Sequence, residues 1–279
     1  MKKLLYFLLT ALFSIALLSS CRRDKNDPQD NDTLAAEDQA LADAEAGKAY
    51  EAIDRTLRGS SNKTGEESEG RFLPDCAVIT VDTLSMPRQV TIDFGTTGCV
   101  CSNWDGKTRK GKIIATYTGR YVDAGTIITW RTENYFVDNN EFRINKTVEN
   151  KGKNQAGQPY FNITASNSVI TPSGTITWQS ARIRTWTKGF DTPAIGWDDE
   201  YSISEITPAT GKNRKGVGYV VRITKPIIWK ASCGFKLVGG ELELTVEDKT
   251  DKRTVNYGNG NCDRQYQITI KGRTYTIRW

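Results

Sequence analysis

The chain of 279 residues contains no histidine. That absence excludes Ser-His-Asp and Cys-His nucleophilic catalysis and every histidine-ligated metal site. Any catalysis would fall to carboxylates, lysine, tyrosine or a lone thiol. No apolar run reaches the roughly 20 residues that a membrane-crossing helix needs. Basic runs are missing too. Lys and Arg are interleaved with Thr, Asn and Glu along the chain, the pattern of a solvated face, so nucleic acid is not an expected partner.

The longest apolar stretch, Leu4 to Leu18, is interrupted only by Thr10 and Ser14 and follows Lys2 and Lys3. A basic start, a short apolar run and small residues are the parts of an export signal, here residues 1–20. Leu18-Ser19-Ser20-Cys21 resembles the lipobox of bacterial lipoproteins, which implies cleavage before Cys21 and a diacylglycerol on its sulfur. Each buried methylene contributes about 0.8 kcal/mol, so acyl chains can hold the protein on a membrane without a spanning helix. Residues 21–32, rich in Asp and Asn, have too little apolar content for a core and form a tether.

Residues 33–58 are Ala-rich, with Thr33 as an N-cap and Arg55 and Arg58 in the last turn before Gly59. These are start and stop signals of a helix. Its expected apolar stripe is thin: Leu34, Leu41, Ala44, Ile53 and Leu57. A Ser-, Glu- and Gly-rich linker covers 59–75. Charge is unevenly spread: residues 22–75 carry 14 acidic and 8 basic side chains, residues 76–279 carry 19 and 28. A basic body of that kind can attract phosphate or an anionic glycan.

From Cys76 to Trp279 the chain alternates with period two. Phe142, Ile144 and Val148 oppose Arg143, Asn145 and Glu149. Val217, Tyr219, Val221, Ile223, Ile227 and Trp229 make the longest apolar face, and Leu242, Leu244 and Val246 oppose Glu241, Glu243 and Glu247. Turn signals such as Asp105-Gly106, Pro172-Ser173-Gly174 and Gly239-Gly240 separate the runs. The expected fold is all-β, an antiparallel meander or sandwich of about a dozen strands preceded by one N-terminal helix. Thr91-Ile92-Asp93-Phe94-Gly95 with Cys99 is echoed by Thr254-Val255-Asn256-Tyr257-Gly258 with Cys262. The echo predicts two similar hairpins; a duplicated half is the alternative.

Beyond Cys21 the thiols are Cys76, Cys99, Cys101, Cys233 and Cys262. In each echoed hairpin one cysteine precedes the first strand and another follows the second. Antiparallel pairing would bring those ends together, which favours Cys76 with Cys99 and Cys233 with Cys262 and leaves Cys101 outside the bridges. The rival use of Cys99-Val100-Cys101 as a metal or redox pair is weakened by the single-residue spacing and the missing histidine.

Ile92-Asp93-Phe94-Gly95, Arg109 to Ile114 running into Thr118-Gly119-Arg120-Tyr121, Arg184-Thr185-Trp186, Asp198 to Ile203 and Asn256 to Gly260 followed by Cys262-Asp263, together with the leader and acidic helix, resemble a group of Bacteroidota lipoproteins. The likeness covers nearly the whole chain after Cys21. It implies an outer-membrane lipoprotein with a β body and carries over no functional residues; Cys101 departs from the pattern. Arg22, where enteric inner-membrane retention signals have Asp, and the acids Asp24, Asp27, Asp30 and Asp32 are similar to surface-export signals of that group. The expected location is the outer membrane, on the cell-surface side.

Three candidate sites stand out. Asp198-Asp199-Glu200 beside Trp197 offers carboxylates, but a glycosidase needs two about 5 to 9.5 Å apart across a sugar. Asn259, Asn261 and Asp263 alternate like the first ligands of a calcium loop, whose sixth and twelfth positions are here Arg264 and Ile270 instead of Gly and Glu. The seven tryptophans suit stacking on sugars, although aromatics in strands mostly fill cores. The expected function is a non-catalytic binding or structural module of the envelope, without cofactor or metal. Its membrane contact is the lipid, and its ligand a glycan, another anion or an envelope protein. The alternative is a carboxylate-dependent glycan hydrolase.

Overall fold

The computed structural model describes residues 32–59, 76–102, 104–193, 195–234 and 236–278. The signal peptide, Cys21, nearly all of the tether, the 59–75 linker beyond Gly59, and Trp279 lie outside the described residues. Ala-rich sequence with no β-branched run gives one α-helix among them, α1 (Leu34–Gly59, 26 residues). It starts where the Leu34 amide donates to Asp32 Oδ1 at 3.0 Å and the Thr33 hydroxyl donates to Glu37, satisfying groups that a helix start leaves open.

The alternating segments form fourteen strands among the described residues: β1 (Val78–Asp82), β2 (Arg88–Asp93), β3 (Cys99–Val100), β4 (Thr108–Tyr117), β5 (Ile127–Val137), β6 (Asn140–Lys153), β7 (Pro159–Thr171), β8 (Gly174–Lys188), β9 (Glu200–Lys212), β10 (Gly218–Lys230), β11 (Lys236–Val246), β12 (Arg253–Asn259), β13 (Gln265–Ile270) and β14 (Arg273–Arg278). All belong to one antiparallel sheet in chain order, with β3 pairing on β4 beside the main path. Of the two antiparallel arrangements expected, this is the meander. Short turns set most of that order, because a two- to six-residue connection reaches only the adjacent strand; the segments 101–107, 118–126 and 189–199 are longer. The echoed segments build β1–β2 at one edge and β11–β12, two strands in from the other. Their likeness has a local cause: Asp93 Oδ1 accepts the Gly95 amide at 2.9 Å and Asn256 Oδ1 accepts that of Gly258 at 2.8 Å. Both glycines have positive φ. The disulfides Cys76–Cys99 and Cys233–Cys262 close the two hairpins, with Cα atoms 5.8 and 5.1 Å apart.

The sheet curls around α1. Five residues of helix turn the side-chain direction by about 140°, yet Glu45 reaches Arg109 on β4 while Tyr50 reaches Arg184 on β8. Further along, Asp38 receives Arg214 Nε at 2.7 Å from the β9–β10 turn, and Gln39 receives the Tyr219 hydroxyl of β10 at 3.0 Å. The thin Leu/Ile stripe expected of the helix is therefore incomplete. Ala35, Ala36, Ala40, Ala42, Ala46, Ala49 and Ala52 are all buried, whereas Leu34, Leu41 and Ala44 are only half-buried. Small side chains let strands approach the helix from more than one side. Among the described residues no helix is long and apolar enough to cross a membrane.

The charge asymmetry also has an internal use. Asp38, Asp43 and Glu45 of the acidic helix pair with Arg214, Arg182, and Lys107 with Arg109, of the basic body. On the outer face, bases are matched to neighbouring acids, as in Lys112–Asp93, Arg143–Glu141, Lys225–Glu241 and Lys252–Glu243. Such exposed pairs contribute about 0–1 kcal/mol each.

Candidate functional site

Between α1 and the concave face of the sheet lies a cavity of about 780 Å³, within the range of small-ligand sites. Lys146 sits mid-way along β6, in phase with Phe142, Ile144 and Val148, and so faces the helix. Its cross-strand neighbours are Trp130 on β5 and Ala165 on β7. Arg182 and Arg184 enter from β8 in phase with Trp178 and Trp186.

The three cations are held differently. Arg182 pairs with Asp43 of α1 at 3.3 Å. Arg184 donates to the hydroxyls of Tyr50 and Tyr121, the latter at 2.9 Å, and lies over the rings of Tyr50, Tyr201 and Phe161 at 4.2 to 5.1 Å. The Tyr121 and Tyr201 hydroxyls are 3.3 Å apart, and Tyr201 continues to Asp199 at 3.5 Å. Burial first of all raises the Tyr50 pKa well above the tyrosine range, so its hydroxyl keeps its proton. Lys146 lies over Tyr50 and Trp130 at 5.6 and 5.7 Å from the ring centroids. Burial, then Arg184 and Arg182, push its pKa down to about 7, with Asp43 acting the other way.

The cavity is lined by acids, among them Asp43, Glu45 and Glu51, as well as by bases, but two of the bases stand apart. Neither Lys146 nor Arg184 has a carboxylate within ion-pair distance among the described residues, and Arg184 Nε is buried without a hydrogen-bond partner. A buried orphan donor costs about 1–3 kcal/mol, and an anion beside Lys146 and Arg184 would supply its acceptor. Lys236, Arg264, Lys48 and Lys107 line the cavity too, the last two paired with Glu51 and Glu45, and burial, then Arg264, Lys48 and Lys107, lower the Lys236 pKa.

No protein family, curated protein or solved structure matches this chain. The assignment of a site therefore rests on the geometry above.

The sequence-derived candidates fall elsewhere or divide their roles. Asp199 is buried and accepts Trp186 Nε1 at 2.9 Å, Asp198 accepts the Thr192 hydroxyl at 2.6 Å, and Glu200 pairs with Lys188 at 2.9 Å. The three acids thus serve three different partners. Asp263 accepts the Gln265 amide at 3.4 Å in the β12–β13 turn, and Ile270 is buried in the core. Trp130, Trp178 and Trp186 are core residues, whereas Trp197 is 46% exposed at the cavity rim. Cys101 is buried with its sulfur 3.0 Å from that of Cys76. The sulfurs of Cys76, Cys99 and Cys101 lie within 4.8 Å of one another, but a bridged sulfur is no thiolate ligand while the bridge stands. Sequence reasoning missed Lys146, Arg182 and Arg184. Their signal was available: each is a cation in the apolar phase of a period-two strand.

Proposed function

We propose that this chain is a lipid-anchored, non-catalytic binding protein of the cell envelope that holds an anionic ligand in the cavity beneath α1. The observation that carries the reading is the pair of cavity-facing cations, Lys146 and Arg184, neither matched by a carboxylate among the described residues. The anchor reading is supported by the apolar leader ending in Leu18-Ser19-Ser20-Cys21, and the surface location by Arg22 and the acids after it.

A thermal-shift screen of paired compounds, each anion against its neutral isostere, tests the binding reading. Anions raise the melting temperature, their isosteres do not, and Lys146→Met removes the difference. A screen in which no anion of any size shifts the transition refutes it. For the anchor, Cys21→Ala leaves the membrane fraction or stalls as precursor. Retention with unchanged mass refutes lipidation, and full resistance to protease added to intact cells refutes the surface location.

A further inference from the structure

The cavity is long, and its two walls differ. It follows one face of α1, through Glu37, Ala40, Leu41, Ala44, Gly47 and Glu51, a distance of about 21 Å at the rise of a helix. Its volume of about 780 Å³ is spread along that length, an elongated space that suits an extended chain better than a compact ligand. Cross-strand register shows how the wall changes. Arg184 on β8 is opposite Ile203 on β9, and Ile203 is opposite Ile227 on β10. Trp229, Leu237 and Leu242 continue the lining beyond it. The basic wall of β6 and β8 thus gives way within one strand spacing to a mainly apolar wall on β9 to β11, with Lys236 at its end. Ile203, Trp229, Leu237 and, on the helix, Leu41 are only half-buried although they face the interior.

Gly47 is the second observation. Glycine in mid-helix costs about 1 kcal/mol relative to alanine, and is usually retained where something packs too closely for a Cβ. Here a Cβ would meet nothing within 4 Å. The position keeps open space on the cavity side of α1.

From this shape and polarity, and resting on the anion-binding reading above, we infer that the ligand is a long-chain anion. Its charged head contacts Lys146 and Arg184, and its single apolar chain runs along α1 past Gly47 against β9 to β11. The head satisfies donors that have no protein acceptor, and the chain covers half-buried Ile, Leu and Trp side chains. A compact anion fills only the basic end, and a neutral chain leaves the cations unmatched.

The full-length protein loaded with 11-(dansylamino)undecanoic acid as fluorescent probe gives the test. Hexadecanoate displaces the probe, hexadecanol does so at least about tenfold more weakly, and acetate does not compete. Lys146→Met weakens hexadecanoate about tenfold and leaves hexadecanol unchanged. Gly47→Leu, or Ala44→Leu should the first variant fail to fold, fills the channel and abolishes binding of both while keeping the melting transition. Equal competition by acetate and hexadecanoate overturns the long-chain inference but leaves an anion site. Equal competition by hexadecanol and hexadecanoate, unaffected by Lys146→Met, overturns both the inference and the anion reading. Failure of the probe to bind overturns the long-chain inference, and the paired-anion screen then decides the anion reading alone.

Discussion

Replacing Lys146 with Met should stabilise the protein at neutral and mildly acidic pH. The Lys146 pKa is about 7 in the folded state against 10.5 as the ordinary value. The groups facing it are Arg184 and Arg182 on β8 and Asp43 and Tyr50 on α1. A lysine whose folded pKa is depressed binds fewer protons when folded than when unfolded. Stability therefore rises with pH between about 7 and 10.5, and below 7 the full penalty is present. Converted at about 1.4 kcal/mol per pH unit, the shift would correspond to about 5 kcal/mol. Because the amine looks onto the cavity, solvent screening reduces this to about 2–3 kcal/mol. Methionine fills a similar volume but gives up the contacts with Tyr50 and Trp130, about 1 kcal/mol together. The net gain of roughly 1–2 kcal/mol raises the melting temperature by about 2–8 °C for a domain of this size. Calorimetry at pH 6, 7, 8 and 9 reads the difference between variant and wild type, which should shrink by about a third to a half from pH 7 to pH 9. A difference that stays constant across that range, or a variant less stable at pH 6, would refute the reasoning.

Other perturbations follow from single features of the fold. Reducing the bridges, or Cys233→Ser with Cys262→Ser, opens a loop with sequence separation 29 and should cost about 3–4 kcal/mol by loop entropy, read as a lower denaturant midpoint. Gly111 has φ +85 and a Cβ there would lie 2.0 Å from the Asn134 carbonyl oxygen; Gly111→Ala should cost about 3 kcal/mol or more. At Gly216, φ +80 with nothing within 4 Å, the same change should cost only about 1 kcal/mol, and equal losses at the two sites would contradict the close approach. Arg109, fully buried, holds Asp105 at 2.6 Å, Glu45 at 3.3 Å and the Tyr135 hydroxyl at 3.0 Å. Arg109→Ala leaves those acids without their cation and should cost about 3–5 kcal/mol, detected as a lowered melting temperature; a loss under 1 kcal/mol would show the network to be dispensable.

The sequence alone determined the secondary structure and its class. Period-two alternation marks strands because side chains of a strand point to opposite faces, and Thr33 to Gly59 carries its own helix signals. Turn residues marked the strand boundaries but left meander and sandwich both open, and the repeated Asp/Asn-x-Gly turn placed the cysteines at hairpin ends. What the sequence left undecided depends on curvature. Whether a meander lies flat, folds into a sandwich or curls around α1 is a sum of many small twists, and none of them is visible as a residue pattern. Only that curl turns the acidic helix inward, where Asp38, Asp43 and Glu45 meet Arg214, Arg182 and Arg109. Only it brings Lys146 and Arg184, separated by one strand in the sheet, together opposite Tyr50. A cation in an apolar phase was readable in each strand; that the cations border a common cavity was not, because a cavity belongs to the packing of distant segments and has no sequence of its own.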